Sequence, residues 1–240
     1  MSLNIVKKAI ILIIVVGIVL PIFFLARRKK EKETLMTMTP EIIRKPAVAG
    51  AFYPAEKNTL NSQIEEFFQE VPEKKEEGWL RILIAPHAGY QYSGQVAGYG
   101  FKQLKDKDYS TVILLGPTHQ SFFQGATIDS SDAWQTPLGL VEIDKDLAKK
   151  IAEGVEGVTF SASAHSEEHS LEVELPFLQT ALKDFKLVPL LLGETDENFL
   201  ESLAEVLARN MTDNTLVVIS TDLSHYPPYE VANEVDRVTI

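Results

Sequence analysis

The chain predicts an α/β domain, a mostly parallel sheet covered by helices on both faces, preceded by an N-terminal transmembrane helix. Three observations carry this reading. Continuous apolar runs of strand length alternate with stretches of helical spacing, the mark of strands buried on both faces. An eighteen-residue segment without a charge stands near the amino terminus. The charge is also divided: residues 1–45 hold nine Lys/Arg against three Glu, whereas residues 46–240 hold fourteen basic residues against thirty-one acidic ones.

The uncharged segment, residues 9–26, reads AIILIIVVGIVLPIFFLA. At about 1.5 Å per residue it spans roughly 27 Å, enough for a hydrocarbon core. Gly17 and Pro21 are tolerated in membrane helices. No small-x-small cleavage site follows, and Arg27-Arg28-Lys29-Lys30 stands where a signal peptide is small and polar. Residues 1–30 are therefore expected to form an uncleaved, single-pass membrane anchor. More basic residues follow the span than precede it, which directs the body to the cytoplasmic side. Residues 31–44 are polar without a period and read as a tether. The domain is expected over 45–240.

Within it, Asn58 or Thr59 can cap a helix whose buried face is Leu60, Ile64, Phe67 and Phe68. Trp79 to Ala85 is a strand. Ser93 precedes a helix through Phe101 and Leu104, with Gly94, Gly98 and Gly100 suggesting close packing on the sheet. Thr111 to Leu115 is a second buried strand. Strand-like pieces follow near Ala126–Ile128 and Leu140–Ile143, with turn chemistry at Thr136-Pro137-Leu138-Gly139. Helices are predicted from Asp144 to Glu153, over Ser170–Leu182 with Pro176 at a kink or an end, and from Asp196 to Arg209. Leu187–Leu192 and Thr215–Ser220 are further strands, and Tyr229 onward is helical.

Composition narrows the chemistry. The absence of cysteine excludes a disulfide scaffold, a thiolate cluster and a cysteine nucleophile within this sequence. A net charge of −11 argues against nucleic-acid binding, which needs a basic surface. No phosphate loop and no Gly-x-Ser-x-Gly elbow is present.

Three of the five histidines follow predicted strands: His87 after ILIA, His119 after VILLG and His225 after VVIS, with Asp222 close by. Ligands of open α/β sheets bind beyond the carboxyl ends of the strands. If these strands are neighbours, three imidazoles and a carboxylate share a crevice, a donor set suited to iron, copper or zinc. Asp222 can orient His225 as a base, although no nucleophile completes a triad. His165-Ser166-Glu167-Glu168-His169 lacks the Glu that a zinc-protease helix needs after its first His, so one of these histidines at most lines the crevice from a loop. Glu172 and Glu174 point to different sides of a helix and are no natural acid pair. Tyr90, Tyr92 and Trp134 are candidates to line the pocket or to pack in the core.

Several blocks, in order, carry a resemblance. They are Arg44 to Pro54 (RKPAVAGAFYP), Pro86-His87-Ala88-Gly89-Tyr90 with Tyr92-Ser93-Gly94, Gly116-Pro117-Thr118-His119, Glu168-His169-Ser170-Leu171-Glu172, and Ser220 to His225. Together they resemble the Memo family, the AmmeMemoRadiSam system protein B of prokaryotes, from about Arg44 onward. The resemblance implies a fold related to class III extradiol dioxygenases, which use non-haem iron(II) to open catechol rings. It places His87 and His119 on metal-ligand positions and His225 on the acid/base position, with Asp222 as its neighbour. The family's third metal position lies in a final segment, a Cys in Memo proteins and a Glu in the dioxygenases. This chain has no Cys and stops at Ile240 in a stretch read as helix, so the domain is expected to be C-terminally incomplete; losing the final strands would leave a sheet edge unpaired.

The expected function is a membrane-anchored, metal-dependent redox enzyme using iron(II) or copper ahead of zinc, in a system with radical-SAM proteins. The alternative is a non-catalytic metal- or peptide-binding module on the same fold. Metal-assisted hydrolysis is the weaker third reading.

Overall fold

The computed structural model describes residues 42–73 and 78–239. The predicted span, residues 9–26, lies outside them, as does all but the end of the predicted tether. No helix among the described residues is long and apolar enough to cross a membrane.

In chain order the elements are β1 (Ile43–Arg44), α1 (Lys57–Glu70), β2 (Ile82–Ala85), α2 (Tyr90–Lys102), β3 (Thr111–Pro117), β4 (Ala126–Ile128), β5 (Ala133–Thr136) and β6 (Gly139–Glu142). They continue with α3 (Lys145–Gly154), β7 (Val158–Phe160), α4 (Ala162–His165), a 3-10 turn (Glu172–Glu174), α5 (Leu175–Ala181), β8 (Lys186–Leu192), α6 (Glu197–Asn210), β9 (Thr215–Ser220) and α7 (Tyr229–Thr239). Among the described residues the main sheet has six strands, in the order β2-β9-β3-β8-β4-β7.

The first four of those strands are parallel, as the apolar runs predict. β4 runs antiparallel to β8, and β7 parallel to β4. Only eight residues, 118–125, join β3 to β4. That is too short for a helical crossover, so the chain returns in the opposite direction. A smaller sheet, β1-β5-β6, packs beside the main one; β5 and β6 form a hairpin that turns at Pro137-Leu138, where turn chemistry was predicted.

Strand side chains alternate between two cores. Val112 and Leu114 of β3 join Leu216 and Val218 of β9 in one cluster with α1, α2 and α5. Ile113 and Leu115 join Val188, Leu190 and Val217 in the other, against α3 and α6. These uninterrupted apolar strands are thus filled from both faces, giving a helix–sheet–helix sandwich.

Several boundaries differ from the sequence reading, each for a local reason. α1 is capped by Glu56, whose carboxylate accepts from the N–H of Asn58 and Thr59 at 3.0 and 2.8 Å; neither of those two residues is the cap. α2 begins at Tyr90 after Gly89, so Ser93 lies in its first turn, where its hydroxyl donates to the Ala88 carbonyl. Two of the three glycines of α2 face a helix, not the sheet. A Cβ on Gly94 or Gly98 would meet Phe67 of α1 at 2.5 or 3.0 Å, and only Gly100 abuts the sheet, at Leu83. β2 starts at Ile82; Trp79 instead packs on the Tyr109 ring, with centroids 5.1 Å apart. Ile43 and Arg44, read as the end of the tether, form β1 against β5. The short strands β1, β5 and β7 carry too few residues to show a period.

Candidate metal centre

The sheet order answers the question the sequence left open: β2, β9 and β3 are adjacent and parallel. Their carboxyl ends lie on one edge, so the loops after them converge. His87 follows β2 by two residues, His119 follows β3 by two, and Asp222 and His225 lie in the loop after β9. His169 enters from the segment between α4 and the 3-10 turn.

Four imidazoles meet there. The ring centroid of His87 is 5.2 Å from that of His119, 5.6 Å from that of His169 and 6.4 Å from that of His225. The rings of His119 and His169 are 4.4 Å apart. One donor atom from each of His87, His119 and His169 lies within 4.8 Å of the others, and the same holds for His87, Asp222 and His225. The two trios share His87.

The hydrogen bonds behind the rings set which nitrogen faces the crevice. Nδ1 of His119 is 2.9 Å and Nδ1 of His169 is 3.2 Å from Oε1 of Glu168. A carboxylate only accepts, so each ring presents an Nδ1–H to Glu168, and Nε2 is the nitrogen left for another partner. Glu168 is 1% exposed, and burial pushes its carboxyl up. Bonds from the His169 ring, the backbone N–H of His119 and Ser170, and the His119 ring outweigh that and hold it well below the usual carboxylate range.

His87 is buried, its Nδ1 lies 2.8 Å from Ser220 Oγ, and its Nε2 makes no hydrogen bond among the described residues. Burial lowers its pKa to about 4; Asp222 opposes the shift, and the three neighbouring histidines reinforce it. At neutral pH it is a free base. A buried imidazole nitrogen with no hydrogen bond among the described residues, 3.8 Å from Asp222 Oδ2 and facing two further imidazoles, fits a metal ion: neutral imidazoles are ligands for iron, copper and zinc, and each ring here has the outer partner that metal-bound histidines keep.

Asp222 joins the two loops. Its Oδ1 accepts the backbone N–H of His87 at 2.6 Å and of Ala88 at 3.0 Å. Its Oδ2 lies 3.6 Å from Nε2 of His225, which is half-exposed. The same loop holds Leu223 and Tyr226 at φ of 61° and 59°, left-handed backbone that costs such residues on the order of 1 kcal/mol each. Strain of this kind persists where the surroundings fix a loop, often at functional sites.

The remaining candidates fall elsewhere. His165 is fully buried beneath Trp134, with Nε2 3.1 Å from the Thr127 carbonyl, and takes no part in the crevice. Trp134 donates to Asp129, Tyr90 donates to the Val173 carbonyl inside the core, and Tyr92 points to solvent. Glu172 and Glu174 are both buried and diverge, Glu172 to Arg44 and Tyr53, Glu174 to Ser220. Sequence reasoning missed Glu168 and Ser220. Glu168 stands beside His169 in the chain, but nothing in one dimension shows that its carboxylate reaches across to His119.

A sequence model of the family described as Memo-like protein matches residues 44–240. A MEMO1 family protein of Nitrosopumilus maritimus is 36% identical over 205 residues, covering 83% of this chain and 74% of the relative. One from Methanopyrus kandleri is 37% identical over 209 residues, covering 82% and 74%. Another, from Aquifex aeolicus, is 39% identical over 203 residues, covering 82% and 73%. The matched region contains the α/β sandwich and every histidine of the crevice, and on this ground the chain belongs to the Memo family.

Proposed function

We propose that this domain binds one iron(II) or copper ion through Nε2 of His87 and His119, with His169 as a third imidazole, and acts as a metal-dependent redox enzyme. The observation that carries the reading is the buried Nε2 of His87, which has no hydrogen-bond partner among the described residues and faces His119 and His169. His169 serves as third donor from within this chain, a part the sequence reading left to a residue beyond Ile240. Zinc is placed behind iron and copper on the family resemblance alone, since three imidazoles accept all of these metals.

When bound, such an ion supplies Lewis acidity and one-electron chemistry. The chain's own residues do the rest. Glu168 and Ser220 orient the three rings, and Asp222 fixes the loops after β2 and β9 to each other. His225, half-exposed at the mouth of the crevice, is the group able to give a proton to a small molecule or take one from it, with the Asp222 carboxylate 3.6 Å from its Nε2. Residues 9–26 would tether this domain to a membrane, and radical-SAM proteins are the partners that the family resemblance suggests.

The test is an anaerobic calorimetric titration of the full chain with iron(II), copper(I) and zinc, beside the double variant His87→Ala, His119→Ala. Saturable one-to-one binding that the double variant loses supports the centre. Equal binding by both proteins overturns it. Oxygen uptake with a catechol panel, abolished by His225→Ala, then tests the redox step.

A further inference from the structure

Ser220 stands at a junction that its single proton cannot serve alone. Its Oγ is 2.7 Å from the Ser170 carbonyl, 2.9 Å from Oε1 of Glu174 and 2.8 Å from Nδ1 of His87. A hydroxyl donates once and accepts twice. The carbonyl can only accept, and it makes the shortest contact, so it takes the serine proton. Glu174 and His87 must then both donate to the oxygen, or face it lone pair to lone pair.

The surroundings of Glu174 select the first arrangement. Its side chain is fully buried, its Oε2 has no partner, and Ser220 is the one hydrogen-bond partner found for the carboxyl group among the described residues. An ionised carboxylate there would keep a full charge with at most one hydroxyl against it, a costly state in the interior. Asp222, also nearby, adds repulsion to any charge on Glu174, and the Tyr90 hydroxyl that faces it is turned to the Val173 carbonyl. Burial accordingly pushes the Glu174 carboxyl far up, helped by Asp222 and opposed only by the Ser220 bond.

We propose that Glu174 is a protonated positioning residue: it donates to Ser220, Ser220 donates to the Ser170 carbonyl, and the hydroxyl's second lone pair fixes His87 as the Nδ1–H tautomer with its Nε2 open to the crevice. The two buried acids behind the centre thus do one job in opposite states. Glu168 is ionised and orients His119 and His169 directly, while Glu174 is neutral and orients His87 through a serine. A neutral acid on that side also spares the centre a second buried negative charge. The purpose of the relay rests on the metal reading, but the assignment of its protons does not.

The experiment has two readouts that need no metal, both on the full chain. Infrared difference spectra at pH 7 between wild type and Glu174→Gln are expected to show a protonated-acid carbonyl band that the variant lacks. Long-range proton–nitrogen spectra of the imidazoles are expected to show His87 as Nδ1–H in both proteins, because the glutamine amide donates as the acid does. Ser220→Ala removes the acceptor; His87 is expected to become a mixture of tautomers, and cobalt(II) binding to weaken by about 10- to 100-fold. Absence of the acid band in wild type, or a wild-type His87 protonated on Nε2, overturns the proposal. Band and tautomer as expected, in a chain with no affinity for cobalt(II), would support the relay and overturn the metal centre instead.

Discussion

Nη1 of Arg44 lies 2.6 Å from Oε2 of Glu172, with the two side chains 3% and 0% exposed. The same guanidinium donates to the carbonyls of His165 and Glu168 and lies 4.1 Å over the Trp134 ring. Glu172 in turn accepts from the backbone of Ala47 and Val48 and from Tyr53. One buried pair therefore pins the first strand of the domain to the segment that presents Glu168 and His169. Arg44→Met would leave Glu172 charged without its cation, and removing one partner of a buried pair costs about 3–5 kcal/mol. Arg44→Lys should recover little, since one ammonium cannot reproduce a planar fork with four acceptors, the Lys45 carbonyl at 3.4 Å being the fourth. Urea unfolding of the three proteins measures this; a loss below about 1 kcal/mol in Arg44→Met would place the pair among weak surface bridges.

Glu168→Gln tests the other orienting acid. The carboxylate accepts from the backbone N–H of His119, Gln120, His169 and Ser170 as well as from the two rings. An amide turns one acceptor into a donor facing other donors. Outer partners of metal-bound histidines typically contribute 10- to 100-fold in affinity, so iron(II) binding should weaken by about that factor. Calorimetric titration of the variant checks it, and unchanged affinity would mean the rings hold their orientation without Glu168.

The sandwich was largely legible because its strands are short, apolar and buried on both faces, as with Thr215–Ser220, where prediction and structure coincide. The three strand-end histidines were legible for the same reason: a fixed place after a recognisable strand. What one dimension could not show is pairing between distant segments. His169, Glu168 and Glu174 act from an irregular stretch whose partners lie 46 to 49 residues away, and no period marks such contacts. The Glu56 cap was missed because Glu is not a favoured capping residue, and its two bonds depend on a local rotamer.

Acid should destabilise the fold through its buried neutral histidines. Burial holds both His165 and His87 at about 4, against 6.5 for the ordinary side chain. Between those values the unfolded chain binds the proton and the folded chain does not, so stability falls as pH falls. Glu174, raised above 4.5, has the opposite sign: the folded chain keeps a proton that the unfolded chain has lost, and stability falls as pH rises. Below about pH 5.5 the unfolded histidines are almost fully protonated, and down to about 4.5 the two histidines outweigh the one acid by a single proton, about 1.4 kcal/mol per pH unit. In metal-free protein, the unfolding free energy of wild type should drop with about that slope from pH 5.5 to 4.5. His165→Gln should be flatter by one proton, and an equal slope in both would remove His165 from the account.

Gly116 of β3 joins packing to the centre at one atom. A Cβ there would stand 2.7 Å from Cδ2 of Leu171 and 3.3 Å from both Ser170 Oγ and Ser220 Cβ. Leu171 and Ser170 are fully buried and Ser220 is 1% exposed, so none can move aside into solvent. Overpacking of this kind costs about 1–3 kcal/mol. The displaced atoms belong to the serine that holds His87 and to the chain just after His169, so the strain reaches both imidazoles. Gly116→Ala should therefore lose both stability and roughly tenfold in iron(II) affinity, a loss at the lower end of that for an outer partner. Gly78→Ala is the control: its φ of +94° makes the alanine strained, but nothing among the described residues stands within 4 Å. It should lose on the order of 1 kcal/mol of stability with iron(II) affinity intact. Urea midpoints and calorimetric titrations of both variants separate the two effects. If Gly116→Ala binds iron(II) as tightly as wild type, the strain relaxes away from Ser220, and the packing behind His87 does not set the geometry of the centre.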